Sequence, residues 1–270
     1  MPELPEIETI VRGLAPHLVG RAVCTVRVRE PRLRERIAPD FARALVGREI
    51  HSLARAGKTV VAGLDDGLRW LVHLGMTGRL TLQGADVAPR PHDHVEIGLD
   101  DGRCLVYNDV RRFGRLVVVA PDAVAAEVGL GLEPLGEDAR PDVLAARARR
   151  RRLSVKAFLM DQRLLVGIGN IYASEILFHA GLRPWRRAGR LSLAEWQRVV
   201  AATRHVLEDA IACGGSTISD YRDGFEGFGS YQLRHAVYGR AGEPCVRCAT
   251  RLRSRVIVGR SSFYCPTCQR

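Results

Sequence analysis

Four cysteines near the C-terminal end place the strongest constraint on how this chain folds. They follow the pattern Cys245-x2-Cys248-x16-Cys265-x2-Cys268. Each Cys-x2-Cys turn brings two thiolates within reach of one tetrahedral ion, and two such turns complete a closed shell of four sulfurs. Because a closed shell leaves no position for a substrate, the pattern predicts a zinc ribbon with one structural zinc ion. Between the pairs, "RLRSRVIVGRSSFY" predicts two strands that turn at Gly259-Arg260.

The charge balance lies in the range that suggests a nucleic-acid partner, and an ordinary basic protein remains an equal alternative on charge alone. The net charge is +11, the pI is about 9.9, and the hydrophobic content of 46% excludes global disorder. We expect no secretory signal and no membrane span, because the acidic start lacks an apolar segment and no apolar run approaches about 18 residues. Seven cysteines, four of them in two tight pairs, favour a reducing compartment and hence the cytoplasm.

Only two of the 41 basic residues are lysine, Lys58 and Lys156. Arginine does not give up its proton in a protein, whereas lysine can do so and can act as a compact amine. The two lysines are therefore candidates for roles that arginine does not fill. The alternative is that they are chance survivors of a biased composition.

The first half of the chain reads as one helix followed by short strands. Apolar residues from Ile7 to Leu18 recur at helical spacing, and Gly20 ends the pattern. Seven β-branched runs between residues 22 and 120 predict strands, with hairpin turns at 65–67 and 100–102. Seven short strands with tight turns predict a sandwich or barrel.

Helical signals dominate from residue 142 to about residue 213, after a linker at 131–142 that is rich in glycine, proline and acid. One helix is predicted from Asn170 to about Gly181. Another follows the capping-box pattern that Ser192 begins and ends at Gly214-Gly215. The glycine- and aromatic-rich stretch 214–231 predicts a loop, and residues 236–270 predict a small basic unit with seven arginines and one acid.

The chain begins "MPELPEIET", which on its own is a good helix start, because proline and acids are favoured in a first turn. The motifs that follow it along the chain support a second interpretation of this stretch, as part of a family signature. These are "HLGMTGRL", "HDHV", "NDVRRFG", "LMDQRLLVGIGNIYASEILF", "GGSTISD", "HAVYGRAGEPC" and the four-cysteine pattern. Together, and over the whole chain, they closely resemble the bacterial formamidopyrimidine-DNA glycosylases, which remove oxidised purines such as 8-oxoguanine.

The resemblance implies an α+β multidomain fold. Its N-terminal catalytic domain, residues 1–131, would be a two-sheet β-sandwich with flanking helices. A helix–two-turn–helix DNA-binding domain would span 132–235 and include a lesion-capping loop at 214–231. A zinc-finger domain would span 236–270. The implied ligand is double-stranded DNA with an oxidised base, opposite cytosine, bound by a monomer in the bacterial cytoplasm at the nucleoid.

The resemblance also implies covalent catalysis at the chain terminus. Removal of Met1 would expose Pro2 as a secondary amine, and an α-amino group has a pKa near about 8, so a useful fraction is neutral at pH 7. That amine would attack the sugar C1′ to form an iminium. Glu3 would donate the proton that opens the deoxyribose ring, and Glu6 would support the site. Lys58 and Arg260 match residues linked to the β- and δ-elimination steps that cut the strand.

Further positions match DNA-contacting residues of the resembled family. A glycosylase must extrude its base, and Met76, Arg111 and Phe113 match the three side chains that fill the hole. His92, Arg112 and Arg151 match other DNA contacts, and Lys156 matches a lysine near the damaged base. Asn170 is a further candidate DNA contact, because it follows "VGIG" at a predicted helix start, where backbone N–H groups suit phosphate. Read without the resemblance, Met76 and Phe113 are ordinary core residues, and the arginine run 149–152 is a solvated face.

Two other functions remain open at this point. One is the related activity on oxidised pyrimidines of the endonuclease VIII type, whose members begin Pro-Glu-Gly-Pro where this chain has Leu4. The other is a non-catalytic DNA-binding zinc protein, which an intact Pro2, Glu3 and Lys58 argue against. This chain also has Val110 where the family usually has proline, and the sequence of its capping loop differs from the usual one.

Overall fold

The computed structural model describes residues 1–84, 87–129, 131–216 and 223–270. By their contacts these residues form two compact units. The first comprises 1–128 with 213–230, and the second comprises 129–212 with 231–270. The three predicted domains, 1–131, 132–235 and 236–270, have boundaries that differ from those of the two units. The three-domain division therefore stays a prediction.

The first unit opens with helix α1, Leu4–Leu18, as the spacing of its apolar residues predicts. Pro5 lies in the first turn, where its missing N–H costs no hydrogen bond. Ile7, Ile10, Leu14 and Leu18 are fully buried. Because these residues are three or four positions apart, they form one stripe that packs into the core of the unit.

Eight strands follow in the first unit. They are β1 (Arg21–Val28), β2 (Glu49–Ala56), β3 (Thr59–Leu64), β4 (Arg69–His73), β5 (Arg79–Gln83), β6 (Asp93–Leu99), β7 (Cys104–Asn108) and β8 (Arg115–Val119). Every pairing is antiparallel, and the order is β5-β7-β6-β1-β2-β3-β4-β8. A short 3₁₀ turn, Pro121–Ala123, and helix α2, Val124–Val128, come after β8.

Strand β1 joins two arms of this sheet. Its first two residues, Arg21 and Ala22, pair with β2, whereas Val23–Val28 pair with β6. Buried side chains of both arms, such as Trp70 of β4 and Ile97 of β6, belong to one hydrophobic cluster with α1. The arms therefore enclose a common core, and the predicted two-sheet sandwich is confirmed, with β1 shared between its sheets.

All seven predicted strands are present, but β2 was not predicted. Its sequence, "EIHSLARA", is poor in β-branched and aromatic residues, and most of its side chains are exposed or half-buried. Pairing with β1 and β3 makes it a strand. Such long-range pairing overrides a weak local preference.

The second unit is helical over the predicted range. Its helices are α3 (Pro141–Ala148), α4 (Val155–Met160), α5 (Asn170–His179) and α6 (Leu193–Ala212), and α5 and α6 are the two whose positions the sequence predicted. The capping box before α6 is confirmed, since the Ser192 N–H donates to Glu195 Oε2 at 2.8 Å and the Glu195 N–H donates to Ser192 Oγ at 3.2 Å. Short 3₁₀ turns lie at Ala188–Arg190 and Tyr231–Arg234. No helix in the described part of the chain is long and apolar enough to span a membrane.

The cysteine-rich end forms a two-stranded hairpin of β9 (Arg253–Ile257) and β10 (Arg260–Tyr264). The predicted turn is wrong by one residue. Val258 and Gly259 form it, both with positive φ, and Arg260 is the first residue of β10. Buried Cys245, Leu252 and Cys265 share a core cluster with Phe178 of α5, so this end packs into the second unit rather than standing apart.

Candidate active site and metal centre

The N-terminus of the first unit is buried. Pro2 is buried, and Glu3 and Glu6 are 3% and 2% exposed. Glu3 is the N-cap residue of α1, and its backbone N–H donates to Glu6 Oε2 at 2.8 Å. The capping-box geometry therefore fixes the backbone direction at the residue that follows Pro2.

The second carboxylate oxygen of Glu6 holds a distant segment. Glu6 Oε1 accepts the backbone N–H of Ser216 at 2.7 Å, and Ser216 is itself buried. One carboxylate thus joins the helix start to the beginning of the stretch 214–231. Residues 217–222 of that stretch, which belong to the predicted lesion-capping loop 214–231, lie outside the described residues.

The described remainder of that stretch packs on the same unit. The Leu82 N–H donates to the carbonyl of Gly224 at 3.0 Å, and the Phe225 ring lies edge-on to His17 with centroids 5.1 Å apart. Glu226 accepts a hydrogen bond from Arg90 at 2.9 Å. The described parts of the predicted capping loop, before and after 217–222, therefore both contact the unit that carries Pro2.

Lys58 lies in the two-residue turn between β2 and β3 and is 9% exposed. Arg55 stabilises this turn from one side, because its guanidinium donates to the Gly57 carbonyl at 3.3 Å and to Glu8 Oε2 of α1 at 2.9 Å. Burial raises the pKa of Glu8, but hydrogen bonds and charges from Arg12 and Arg55 outweigh burial and leave that pKa below its usual value. Glu8 is therefore the ionised partner that ties the turn to α1.

His73 is the neighbour of Lys58 that the sequence did not single out. It pairs with Thr59 across β3 and β4. Its Nδ1 accepts the Gly75 N–H at 3.1 Å. Burial, followed by the positive charges of Lys58, Arg34 and Arg115, lowers the pKa of His73 to about 4. His73 is therefore neutral at pH 7, with Nδ1 as the acceptor.

The three predicted void-filling side chains project from two neighbouring loops and are exposed. Met76 is 37% exposed and Phe113 is 42% exposed, so neither is a core residue. The Arg111 guanidinium lies 4.6 Å from the centroid of the Phe113 ring. A Cβ on Gly75 would lie 2.4 Å from the Phe113 carbonyl carbon, so the close approach of the two loops requires glycine there.

A fully buried carboxylate, Asp109, holds these loops together. Thr77 Oγ1 donates to Asp109 Oδ1 at 2.5 Å, and the Gly114 N–H donates to Asp109 Oδ2 at 2.9 Å. The Tyr107 hydroxyl also donates to Oδ2, at 3.1 Å. Burial, reinforced by the charge of Asp109, raises the pKa of Tyr107, which keeps that hydroxyl a donor.

His92 and Arg112 are brought to the same loops by Asp109. The Asp109 N–H donates to the His92 carbonyl at 3.1 Å, and the Arg112 N–H donates to the Asp109 carbonyl at 3.2 Å. Both residues are exposed and have positive φ, 71° and 55°. Left-handed backbone at a non-glycine residue is unfavourable, and it often marks a functional loop.

In the second unit, Asn170 begins α5, directly after the turn "VGIG". Its Oδ1 atom is buried and has no hydrogen-bond partner among the described residues. Gln162 shapes the turn, because it accepts the Gly167 N–H at 2.8 Å and donates to the Ile168 carbonyl at 2.9 Å. Gln162 therefore fixes the turn that leads into α5, and Asn170 Oδ1 lies buried at the start of that helix.

Lys156 is 1% exposed and reaches into the zinc hairpin. Its Nζ donates to the Ser261 carbonyl at 2.9 Å and to Ser262 Oγ at 2.7 Å, and that hydroxyl donates to the Arg260 carbonyl at 3.3 Å. Lys156 and Arg260 also line one cavity of about 220 Å³ with Asp161. Arg151, by contrast, is exposed on the loop that precedes α4.

The four predicted zinc ligands converge in the second unit. Their Sγ atoms all lie within 4.8 Å of one another, with 3.9 Å between Cys245 and Cys268 and 3.5 Å between Cys248 and Cys265. A tetrahedral ion with Zn–S bonds of about 2.3 Å needs sulfurs about 3.8 Å apart, so the donor set fits zinc. Backbone N–H groups of Arg247 and Cys268 approach Cys245 Sγ and Cys265 Sγ at 3.4 Å. With four protein ligands, the ion has a structural role.

Comparison with known proteins agrees with this geometry. The family model described as the formamidopyrimidine-DNA glycosylase N-terminal domain matches residues 1–116. The model of the H2TH domain of the same enzymes matches residues 130–222, and the zinc finger found in FPG and IleRS matches residues 242–270. The chain belongs to the formamidopyrimidine-DNA glycosylase family.

Individual members of the family cover the chain from end to end. A formamidopyrimidine-DNA glycosylase of Thioalkalivibrio sulfidiphilus is 46% identical, with 100% of each chain covered. The structure of the MutM (FPG) protein of Thermus thermophilus is 40% identical, with a TM-score of 0.88 over 99% of this chain and 98% of that one. A Lactococcus lactis FPG mutant bound to a Fapy-dG containing DNA is 30% identical, with a TM-score of 0.92 and full coverage of both chains.

These matches confirm the predicted family, the enzyme class of DNA glycosylase, the fold class and the structural zinc site. The predicted site residues are divided between the two units. Pro2, Glu3, Glu6, Lys58, Met76, His92, Arg111, Arg112 and Phe113 are in the first unit, and Arg151, Lys156, Asn170 and Arg260 are in the second. His73, Asp109, Arg55 and Gln162 are the supporting residues that sequence reasoning missed. His73 lies within "HLGMTG", Asp109 within "NDVRRFG" and Gln162 within "LMDQRLLVGIGNIYASEILF", so these motifs were the signal that could have found them.

Proposed function

We propose that this protein is a base-excision repair glycosylase that removes oxidised purines through a Schiff base on Pro2 and then cleaves the strand as an AP lyase. The observation that carries the proposal is the buried helix start, where Glu6 fixes the Glu3 backbone at 2.8 Å and Ser216 at 2.7 Å. An ordinary N-terminus is frayed and exposed. A buried N-terminus that two hydrogen bonds of Glu6 hold in place can present its amine in a fixed position, as a nucleophile requires.

The proposed reaction begins once Met1 is removed. The Pro2 nitrogen attacks C1′ of the damaged nucleotide and the base leaves. The iminium that joins the protein to the sugar then forms as the C1′–O4′ bond of the ring breaks. Glu3, beside the nucleophile, delivers the proton that opens the ring. The iminium acidifies the C2′ proton, so β-elimination follows with help from Lys58. The δ step then releases the sugar with help from Arg260.

Met76, Arg111 and Phe113 are proposed to occupy the space that the extruded nucleotide leaves. Their exposure supports this role, because an apolar side chain in solvent gains by entering a base stack. The Arg111 guanidinium would hydrogen-bond the unpaired partner base, which we propose to be cytosine. His92, Arg112, Arg151 and Asn170 would contact the DNA backbone, and the buried amide of Asn170 lies at a helix start suited to phosphate.

Lys156 is proposed to act through the hairpin. Its ammonium is engaged with Ser261 and Ser262, two residues that follow Arg260 in β10. This contact supports a role in setting the position of Arg260, in place of the direct base contact that the resemblance implies. Zinc would stabilise the same hairpin from its other end, without taking part in any step.

The proposed ligand is duplex DNA with one oxidised base, bound by a monomer at the bacterial nucleoid. Lactococcus lactis relatives are described in complexes with a Fapy-dG containing DNA and with an abasic site containing DNA, which supports such a substrate. We also propose the three-domain division, with boundaries after residues 131 and 235, because the three family models match successive segments of the chain.

Borohydride trapping tests the proposal. The protein, with Met1 removed, is incubated with a duplex that contains 8-oxoguanine opposite cytosine, and sodium borohydride is then added. We expect a covalent protein–DNA complex that Pro2→Gly abolishes and that Pro39→Gly, at an exposed proline, leaves unchanged. Circular dichroism of both variants checks that the fold is retained.

The outcomes separate the competing functions. Absence of trapping on every oxidised base would show that the protein is not an enzyme of this kind. Trapping on oxidised pyrimidines alone would assign the endonuclease VIII type of activity. Trapping on 8-oxoguanine, followed by a product with a one-nucleotide gap, would support both the glycosylase and the lyase steps.

A further inference from the structure

A cluster of six exposed arginines lies in the second unit, here called the arginine surface. Its members are Arg149, Arg150, Arg151, Arg152, Arg187 and Arg190. The two segments that carry them run side by side. The Ala188 N–H donates to the Leu153 carbonyl at 3.0 Å, and Ser154 forms an antiparallel bridge with Arg187.

The backbone beneath these side chains is closely fitted. A Cβ on Gly189 would lie 2.8 Å from the Ala148 carbonyl oxygen and 3.1 Å from that of Arg151, so the two segments touch there. Arg150 has a φ of 64°, a conformation that a non-glycine residue adopts only where its surroundings impose it. The charges are therefore presented by a fixed scaffold.

Among the residues the structure describes, none of the six charges in this surface forms an ion pair. The pKa of Asp161, which a hydrogen bond from Arg163 lowers, is nevertheless lowered further by the nearby charge of Arg151. Other exposed arginines do pair, including Arg12 with Glu8, Arg140 with Asp142 and Arg163 with Asp161. No aspartate or glutamate occurs in 143–160 or in 183–194. Helix α3 accounts for few of these charges, because only Arg149 lies at its C-terminal end.

Clustered guanidinium groups repel one another, and a polyanion with regularly spaced charges relieves that repulsion. We propose that the arginine surface binds the phosphate backbone of undamaged duplex DNA, without regard to sequence. Arginine suits this role because its planar donors match phosphate oxygens. The inference rests on the proposed DNA-repair function and extends it, since Arg151 is the one member of the arginine surface that was already assigned a DNA contact.

The test compares two variants that lose the same charge. In the first, Arg149, Arg150, Arg152, Arg187 and Arg190 become glutamine. In the second, five exposed arginines that do form ion pairs become glutamine, namely Arg12, Arg32, Arg140, Arg163 and Arg234. Arg151 is kept in both. Affinity for an undamaged duplex is measured by fluorescence anisotropy across a range of salt concentrations.

Each phosphate contact contributes about −0.9 to the slope of log K against log salt. We expect the first variant to lose about two to four units of slope and about tenfold or more in affinity at physiological salt, and the second to change by less than about one unit. Single-turnover excision at saturating enzyme stays at the wild-type rate in both. Thermal unfolding and zinc content verify that both variants are folded.

Equal losses in the two variants would overturn the inference, because bulk charge alone would then explain the binding. Tighter binding of duplex RNA than of duplex DNA, lost in the first variant, would also overturn the assignment to DNA. A wild-type protein that excises no lesion but shows the predicted difference on undamaged DNA would contradict the proposed function and leave this inference standing.

Discussion

Thr77 and Asp109 join the two loops that carry the exposed side chains Met76, Arg111 and Phe113. The Thr77 hydroxyl donates to Asp109 Oδ1 at 2.5 Å and accepts the Arg111 N–H at 3.0 Å. Asp109 is fully buried, so its carboxylate is satisfied by protein donors. The Thr77 hydroxyl thus links the loop that carries Met76 to the loop that carries Arg111 and Phe113.

Asp109→Ala is expected to lower the free energy of unfolding by about 2–4 kcal/mol, because it leaves several buried donors without an acceptor. Excision of 8-oxoguanine should fall further than this loss of stability explains, since the loops separate. Urea unfolding and single-turnover kinetics measure the two effects. Asp142→Asn, at an exposed residue, serves as the control. A stable Asp109→Ala protein with normal excision would contradict the role given to the carboxylate.

Glu6→Gln tests the double anchor at the chain start. An amide has one acceptor oxygen where the carboxylate has two, so it cannot accept both the Glu3 and the Ser216 N–H groups from separate oxygens. We expect borohydride trapping to slow by about tenfold or more, from a loss on the order of 1.4 kcal/mol, while affinity for an abasic-site duplex changes little. Glu49→Gln, on an exposed part of β2, is the control. Unchanged trapping would show that Glu6 has only a helix-capping role.

Lys156→Met removes the hydrogen bonds to Ser261 and Ser262 while keeping most of the buried volume. We expect the hairpin that carries Arg260 to loosen, so that the products shift from δ-elimination towards β-elimination at nearly normal base release. Gel analysis of the cleaved strand reports this ratio. Ser262→Ala should cause a smaller shift in the same direction. Equal slowing of base release and both elimination steps would indicate general destabilisation instead.

His73 predicts a pH dependence of stability. Burial, with positive charges nearby, lowers its pKa from 6.5 to about 4 in the folded protein. Between these values the unfolded chain binds more protons, so the free energy of unfolding falls as the pH drops from 6.5 towards 4. One such group contributes at most about 1.4 kcal/mol per pH unit.

Burial also lowers the pKa of His179 and of His235 to about 4, so His73 supplies only part of the slope. The measurement is therefore a comparison of urea unfolding in the wild type and in His73→Gln at pH 4.5 and 7. We expect the substitution to flatten the dependence. His51→Gln, at a half-exposed residue, should keep the wild-type slope. If the free energy of unfolding depends on pH equally in all three proteins, His73 does not contribute to that dependence.

Local pattern was enough to predict most of the elements. Alternating β-branched runs predicted seven strands, and the capping residues predicted the start of α6. Strand β2 was missed because its residues have little preference for a strand, and only its neighbours make it one. The turn at Val258-Gly259 was displaced by one residue because strand register depends on pairing, which the order of residues does not reveal.

The candidate site divides in the same way. Its chemically distinctive members, from Pro2 to the four cysteines, follow from motifs. The roles of its supporting members do not, because Asp109 and His73 lie within motifs but act through contacts between strands and loops that are far apart in sequence. A buried aspartate in a strand-to-loop junction has no local signature that separates it from an ordinary turn residue.

The burial of both lysines has a practical consequence for chemical labelling. Lys58 is 9% exposed and Lys156 is 1% exposed, while the exposed cations are arginines. Reagents that acylate or reductively alkylate primary amines will therefore find almost no target on the outer faces of this protein. Amine-directed cross-linking will report on the neighbourhood of Lys58 and the terminal amine, and an adduct captured by borohydride will stand out against a very low background of surface lysine.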